Sequence, residues 1–133
     1  MIVVDASVLA NVVADDGPDG RIARAALRGE EVAAPDLVDV ETVSVLRKRW
    51  LADHLTARRF RSAVDDLADL ALIRHPTLPL MRRAYELRAN VTPYDAAYIG
   101  LAEALACPLV TGDARLAGAP GPRCEVRLLA STP

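Results

Sequence analysis

Short apolar runs, too brief to be helices, alternate along this chain with longer stretches of helical periodicity, and that alternation confines it to an α/β fold around a parallel sheet. Ile2 to Val4 reads as a buried strand and Ser7 to Ala14 as helix. The cluster Asp15-Asp16-Gly17-Pro18-Asp19-Gly20 reads as a loop, with Asp19 a candidate cap for a helix from Arg21 to Arg28 that Gly29 stops. A strand is expected from Glu31 to Ala34, and Pro35-Asp36 start the next helix. Thr56 to Leu70 has the pattern of a capped amphipathic helix with Phe60, Val64, Leu67 and Leu70 or Ala71 inward. Leu72-Ile73 form a brief strand, and helices follow from Leu80 to Ala89 and from Pro93 to Ala106, the latter capped by Thr92. Leu109 to Thr111 and Glu125 to Leu129 close the sheet after a turn-rich stretch at Gly118 to Pro122. The expectation is one domain over residues 1–133, with a short, mostly parallel central sheet flanked by helices.

A chain that is 52% hydrophobic but only 4% aromatic must build its core from Ala, Val and Leu. Net charge is −2, so an overall basic footprint for nucleic acid is absent. Lys48 is the only lysine among 16 basic residues; the rest are arginine, the better fork for phosphate. Asp5 breaks the N-terminal apolar run and no apolar stretch is long enough to span a bilayer, which points to a cytoplasmic protein without a signal peptide. Cys107 and Cys124 are then expected as reduced, buried small hydrophobes, and not as a disulfide. His54 and His75 belong to no zinc pattern.

Four acids stand out against this background. Asp5 ends the first strand and Asp113 follows a late one, and ligands of open α/β sheets sit beyond the carboxyl ends of strands. Glu41 shares a helical stripe with Val38 and Val45, where a lone charge is costly unless paired. Asp95 is the third residue of the Pro93 helix. Each has a plain structural role available: Asp5, Asp95 and Asp113 as helix caps, and Glu41 as an ion-pair partner of Arg47 or Arg49. Taken together they form an oxygen-rich set suited to Mg²⁺ or Mn²⁺. Ser7 and Thr111 are placed to donate to a carboxylate or a metal-bound water. Arg115 suits a phosphate contact and a pairing with Asp113 equally well. Asp39, Asp65, Asp66 and Asp69 read as solvated surface, and Arg47-Lys48-Arg49 and Arg58-Arg59 as helix-surface charge or an RNA path. Trp50, Tyr94 and Tyr98 read as core or interface anchors, with Tyr94 also near enough to the acids to stack on a base. Leu9, Val12, Val13 and Trp50 are candidates for a partner groove, with core packing the plainer reading.

The fragments Val4-Asp5-Ala6-Ser7-Val8-Leu9, Val40-Glu41, Tyr94-Asp95-Ala96-Ala97-Tyr98 and Val110-Thr111-Gly112-Asp113-Ala114-Arg115-Leu116 resemble, in order and spacing, the PIN-domain family, and within it the VapC-type toxins of bacterial toxin–antitoxin pairs. The resemblance spans essentially the whole chain. It implies a PIN-like domain in which Asp5, Glu41, Asp95 and Asp113 are metal-binding catalytic acids, with Ser7 and Thr111 as accompanying hydroxyls. Some relatives carry a further acid one helical turn after the third; Tyr98 and Ile99 stand there in this chain. The resemblance also implies RNA as substrate, a VapB-like antitoxin as partner, and a homodimer.

Four carboxylates so arranged repel one another by roughly 3 kcal/mol per pair at ~5 Å and an effective dielectric near 20. Raised carboxylate pKa values without metal, and stabilisation by Mg²⁺, are therefore expected. A metal-bound water attacking in line would leave 5′-phosphate and 3′-hydroxyl ends. Two other classes fit less well. A phosphoacceptor receiver domain wants a late lysine, and Lys48 lies on a middle helix; an Asp-nucleophile phosphatase wants an acid where Ser7 stands. A non-catalytic α/β interaction module whose acids only cap helices remains the third reading.

Overall fold

The computed structural model describes residues 1–129; residues 130–133 of the expected domain lie outside the described residues. The run Ile2–Val4 (β1) is wholly buried because it is the central strand, flanked on both sides by others. Its neighbours are β2 (Val32–Pro35) and β4 (Leu109–Thr111), with β3 (Leu72–His75) and β5 (Val126–Leu128) outermost, giving the order β3-β2-β1-β4-β5. Every pairing is parallel, from Ile2 opposite Val32 to Leu109 opposite Val126. Strands buried on both faces read as unbroken apolar runs, which is why three-residue stretches were visible at all.

The helices are α1 (Ala6–Ala14), α2 (Pro18–Leu27), α3 (Val38–Leu51), α4 (Ala57–Asp69), α5 (Met81–Glu86), α6 (Pro93–Leu105) and α7 (Ala114–Ala117), with a 3₁₀ turn at Leu78–Leu80. From β1 through β2 to β3 the chain steps one way across the sheet; from β3 to β4 it jumps back past β1. With right-handed crossovers that reversal sends α1 to α4 to one face and α5 and α6 to the other. The packing agrees: α1 lies on α2, α3 and α4, whereas α6 lies on β1, β2, β4 and α5. A crevice opens where the direction reverses, beyond the carboxyl ends of β1 and β4. Asp5 and Asp113 follow those two ends.

Several local expectations change. Helix α2 begins at Pro18, three residues before Arg21, because the Asp15 carboxylate accepts from Gly17 N (2.8 Å) and Gly20 N (3.0 Å) and so wraps the turn that Asp19 was expected to cap. A side chain at Gly20 would meet the Asp15 carbonyl oxygen at 1.8 Å, so only glycine fits there. The Glu41 helix begins at Val38, since the Asp36 carboxylate is occupied by Thr77 N and Oγ1. The helix expected from Leu80 to Ala89 is shorter and opens with the 3₁₀ turn. On α4 the inward residues are Ala63 and Leu67 with Phe60 partly covered, and Val64 faces out. Asp39 is not free in solvent: it takes a two-pronged contact from Arg74 Nε (2.7 Å) and Nη2 (3.0 Å). Leu9 and Val13 are core residues, while half-exposed Trp50 lines an open apolar groove with Phe60 and Val64 between α3 and α4. Cys107 and Cys124 are free thiols and only partly buried. Among the described residues no helix is long and apolar enough to cross a membrane.

Candidate active site

The carboxylate of Asp5 ties the ends of the two central strands together. Following β1, it caps α1 by accepting from Val8 N (3.2 Å). The same oxygen accepts from Ser7 Oγ at 2.5 Å, and the other from Thr111 Oγ1 at 2.5 Å. Ser7 Oγ in turn accepts from Gly112 N (2.9 Å), and Thr111 Oγ1 from Asp113 N (3.0 Å). A Cβ on Gly112 would stand 3.2 Å from Ser7 Oγ, so this close approach favours glycine. The two expected hydroxyls thus hold both oxygens of one buried acid, and orient it toward the crevice.

Burial pushes the Asp5 carboxyl above its usual pKa; the hydrogen bonds from Ser7, Thr111 and Val8 oppose this, and the Asp95 charge adds to it. The Glu41 carboxyl is raised for the same leading reason, with Asp95 and Asp5 adding repulsion and a bond from Tyr98 opposing it. Glu41 does not pair with Arg47 or Arg49. Its Oε1 accepts from Tyr98 Oη at 2.5 Å, and Arg49 donates instead to Asn11 Oδ1 at 2.7 Å. Burial and the neighbouring acids push the Tyr98 hydroxyl far up, so it keeps its proton and remains a donor.

Asp95 enters from the first turn of α6, where Thr92 is the cap and its Oγ1 accepts from Asp95 N (3.2 Å). Burial raises its carboxyl, Arg115 lowers it, and Asp113 raises it. Asp113 caps the short α7, accepting from Arg115 N at 2.9 Å. The Arg115 guanidinium reaches both acids, 3.4 Å from Asp113 and 3.8 Å from Asp95, while staying 78% exposed. Capping and clustering therefore coexist at Asp5 and Asp113; neither role excludes the other.

Four acids from the end of β1, from α3, from α6 and from beyond β4 thus feel one another's charge, directly or through Asp95. Among the described residues, however, no three acidic, histidine or cysteine side chains already close around one point as a metal shell. The convergence expected from sequence is looser than a finished cage. Asp5, Glu41 and Asp113 instead hold donors of their own, and Arg115 stands between Asp95 and Asp113 as an internal counter-charge. The donor set is all carboxylate oxygen, with the carboxyls of Asp5, Glu41 and Asp95 raised, which suits a hard divalent cation that keeps several of its waters.

Tyr98 is the buried anchor expected from sequence, and its hydroxyl is in addition the contact to Glu41 that was not expected. It lies three residues after Asp95, on the same helical face, and that spacing was the available signal. Tyr94, by contrast, points outward and is 63% exposed.

A family profile described as the PIN domain matches residues 2–122. Ribonuclease VapC1 of Mycobacterium tuberculosis is 41% identical over 128 residues, covering 96% of each chain. Ribonuclease VapC9 of the same organism is 40% identical over 129 residues, 97% of this chain and 98% of that one. Among solved structures, PAE2754 from Pyrobaculum aerophilum superposes with a TM-score of 0.66 at 26% identity, covering 96% of this chain and 83% of that one. VapC20 of Mycobacterium tuberculosis, described as a sarcin-ricin loop cleaving toxin, gives a TM-score of 0.68 at 17% identity over 87% of this chain and 92% of that one. That last likeness is one of fold.

Proposed function

The chain belongs to the PIN-domain family, and from that premise we propose that it is a VapC-type endoribonuclease toxin, cutting RNA phosphodiester bonds at the crevice beyond β1 and β4. One observation supports this site above all: a buried carboxylate, Asp5, held by Ser7 and Thr111 beside the charges of Asp95 and Glu41. Acids that only capped helices would not need such crowding, which costs stability.

Asp5, Asp95 and Asp113 would hold a divalent cation, directly or through water, with Glu41 as a further ligand or as the base that orients water. The natural ion is proposed as Mg²⁺, with Mn²⁺ as substitute. When bound, the ion supplies an acidified water and positive charge for the phosphoryl oxygens, leaving 5′-phosphate and 3′-hydroxyl ends. Ser7 and Thr111 keep Asp5 ionisable and fixed in direction. Tyr98 does the same for Glu41, and its proton cannot be lost near neutral pH. Arg115 neutralises Asp95 and Asp113 and is exposed enough to swing onto a phosphate. Relatives named as VapC ribonucleases support a VapB-like antitoxin as the inhibiting partner, and a homodimer is proposed on the same footing.

The test is RNA cleavage by wild-type and Asp5→Asn protein with Mg²⁺ or Mn²⁺ and then with EDTA. Cleavage that needs metal and disappears in Asp5→Asn is expected. A wild-type protein that neither cuts RNA nor binds Mn²⁺ would return the acids to helix capping alone.

A further inference from the structure

We propose that a cavity of about 310 Å³ beside Asp95 holds one nucleotide of the RNA strand flanking the scissile phosphate, with Arg88 on its phosphate and Asn90 on its base or ribose. The inference rests on the ribonuclease reading above. The cavity is walled by Arg88, Asn90 and Val91 from the turn between α5 and α6, by Asp95, and by Arg115 and Leu116 of α7. Because Asp95 belongs both to this wall and to the acid cluster, a strand lying in the cavity runs directly onto the reacting site. The volume lies at the small end for ligand pockets, about what one nucleotide needs.

The lining matches the ligand in kind. Val91 and Leu116 supply the apolar part of the wall, and Arg88, Asn90 and Arg115 supply donors beside the accepting carboxylate of Asp95. The Arg88 guanidinium lies 4.0 Å over the Tyr85 ring, and its Nη1 donates to the Tyr85 carbonyl at 2.9 Å. That hold fixes the plane of the fork and leaves its other nitrogens for a phosphate, which arginine recognises in a two-pronged way. Among the described residues Arg88 forms no ion pair, and the Asn90 side chain forms no hydrogen bond. Asn90 can therefore present both a donor and an acceptor to a base edge.

Charge gives the direction. A polyanion is repelled by four clustered carboxylates, and a chain of net charge −2 offers no global attraction. Arg115 must leave Asp95 and Asp113 before it can reach a phosphate. Arg88 is then the free cation on the wall that adjoins the acids, so this wall is where a phosphate is tolerated.

The test uses the whole chain carrying Asp5→Asn, expected to bind RNA without cutting it, and a fluorescently end-labelled single-stranded RNA of mixed sequence. Arg88→Ala, Asn90→Ala and, as a control at the amino end of β2, Arg28→Ala are added in turn. Arg88→Ala is expected to weaken binding about tenfold and to lower the salt slope by roughly 0.7, the loss of one phosphate contact. Asn90→Ala is expected to weaken binding about threefold at unchanged salt slope, and Arg28→Ala to change nothing. In otherwise wild-type protein, Arg88→Ala should raise KM far more than it lowers kcat. If the parent binds and the wild type cuts RNA, but Arg88→Ala behaves like its parent, the pocket alone is wrong. Wild-type protein that cuts no RNA overturns the ribonuclease reading and the pocket with it.

Discussion

Tyr98 Oη stands 2.5 Å from Glu41 Oε1, joining α6 to α3 across 57 positions of sequence. The hydroxyl donates and the carboxylate accepts, so the bond favours the charged form of Glu41 against the burial and like charges that oppose it. Removing only the hydroxyl, in Tyr98→Phe, should therefore raise the Glu41 carboxyl further. The acidic limb of the pH profile of kcat/KM for RNA cleavage is expected to move to higher pH, with stability lower by about 1–2 kcal/mol for the lost bond. A profile that superimposes on wild type would show that Glu41 takes no part in the rate.

Ser7 and Thr111 both donate to Asp5 at 2.5 Å but sit in different surroundings. Thr111 is fully buried and also accepts from Asp113 N, whereas the Ser7 bond is only partly covered. Thr111→Val leaves a buried carboxylate oxygen and a backbone N–H without their partner, at a cost of about 2–3 kcal/mol. In Ser7→Ala water can replace the hydroxyl, so the cost should stay near ~1 kcal/mol. Denaturant melts of the two variants check the order; equal losses would mean that Thr111 is better solvated than its burial implies.

Among the described residues one buried side-chain group has no partner. Thr42 Oγ1, the residue after Glu41 and fully covered, makes no hydrogen bond. Thr42→Val keeps the shape and removes the unsatisfied hydroxyl, so it should stabilise the protein by about 1–2 kcal/mol. A thermal melt raised by several degrees is the expected reading. A lower melting temperature would place an ordered water on that hydroxyl.

What the sequence disclosed depended on how local the cause was. The ends of β1 and β4 were legible because a buried parallel strand is an unbroken apolar run that an acid terminates, as at Asp5 and, after Gly112, at Asp113. Thr92-Pro93 announced α6 by cap and first-turn chemistry alone. Contacts made across the fold left no such mark. Asp39 with Arg74 lies 35 positions apart and Glu41 with Tyr98 further still, so nearby arginines were the only partners in view for Glu41. On α4 an apolar count favours Val64 over Ala63, but α4 packs close against α1 and α3, where the smaller residue fits. The looseness of the acid cluster was hidden for a similar reason: spacing shows which strand ends meet, not which donors each carboxylate already holds.

The raised carboxyls make a prediction about stability without metal. Burial, with Asp95 adding repulsion, raises Asp5 in the folded state above its unfolded value, so the folded protein holds that proton to higher pH. Stability from this group is then greatest at or below the ordinary carboxylate range and falls as pH rises through the raised pKa. Asp5→Asn removes that titration and one of the charges that repel Glu41. In EDTA, the melting temperature of Asp5→Asn relative to wild type should therefore climb as pH is raised from about 4 to 8, on the order of a few degrees. Added Mg²⁺ should reverse the gap at neutral pH, since binding to the folded wild type stabilises it by mass action while the variant has lost a ligand. A gap that stays flat with pH, and a wild type indifferent to Mg²⁺, would mean that Asp5 is content as a helix cap and that the acids bind no ion.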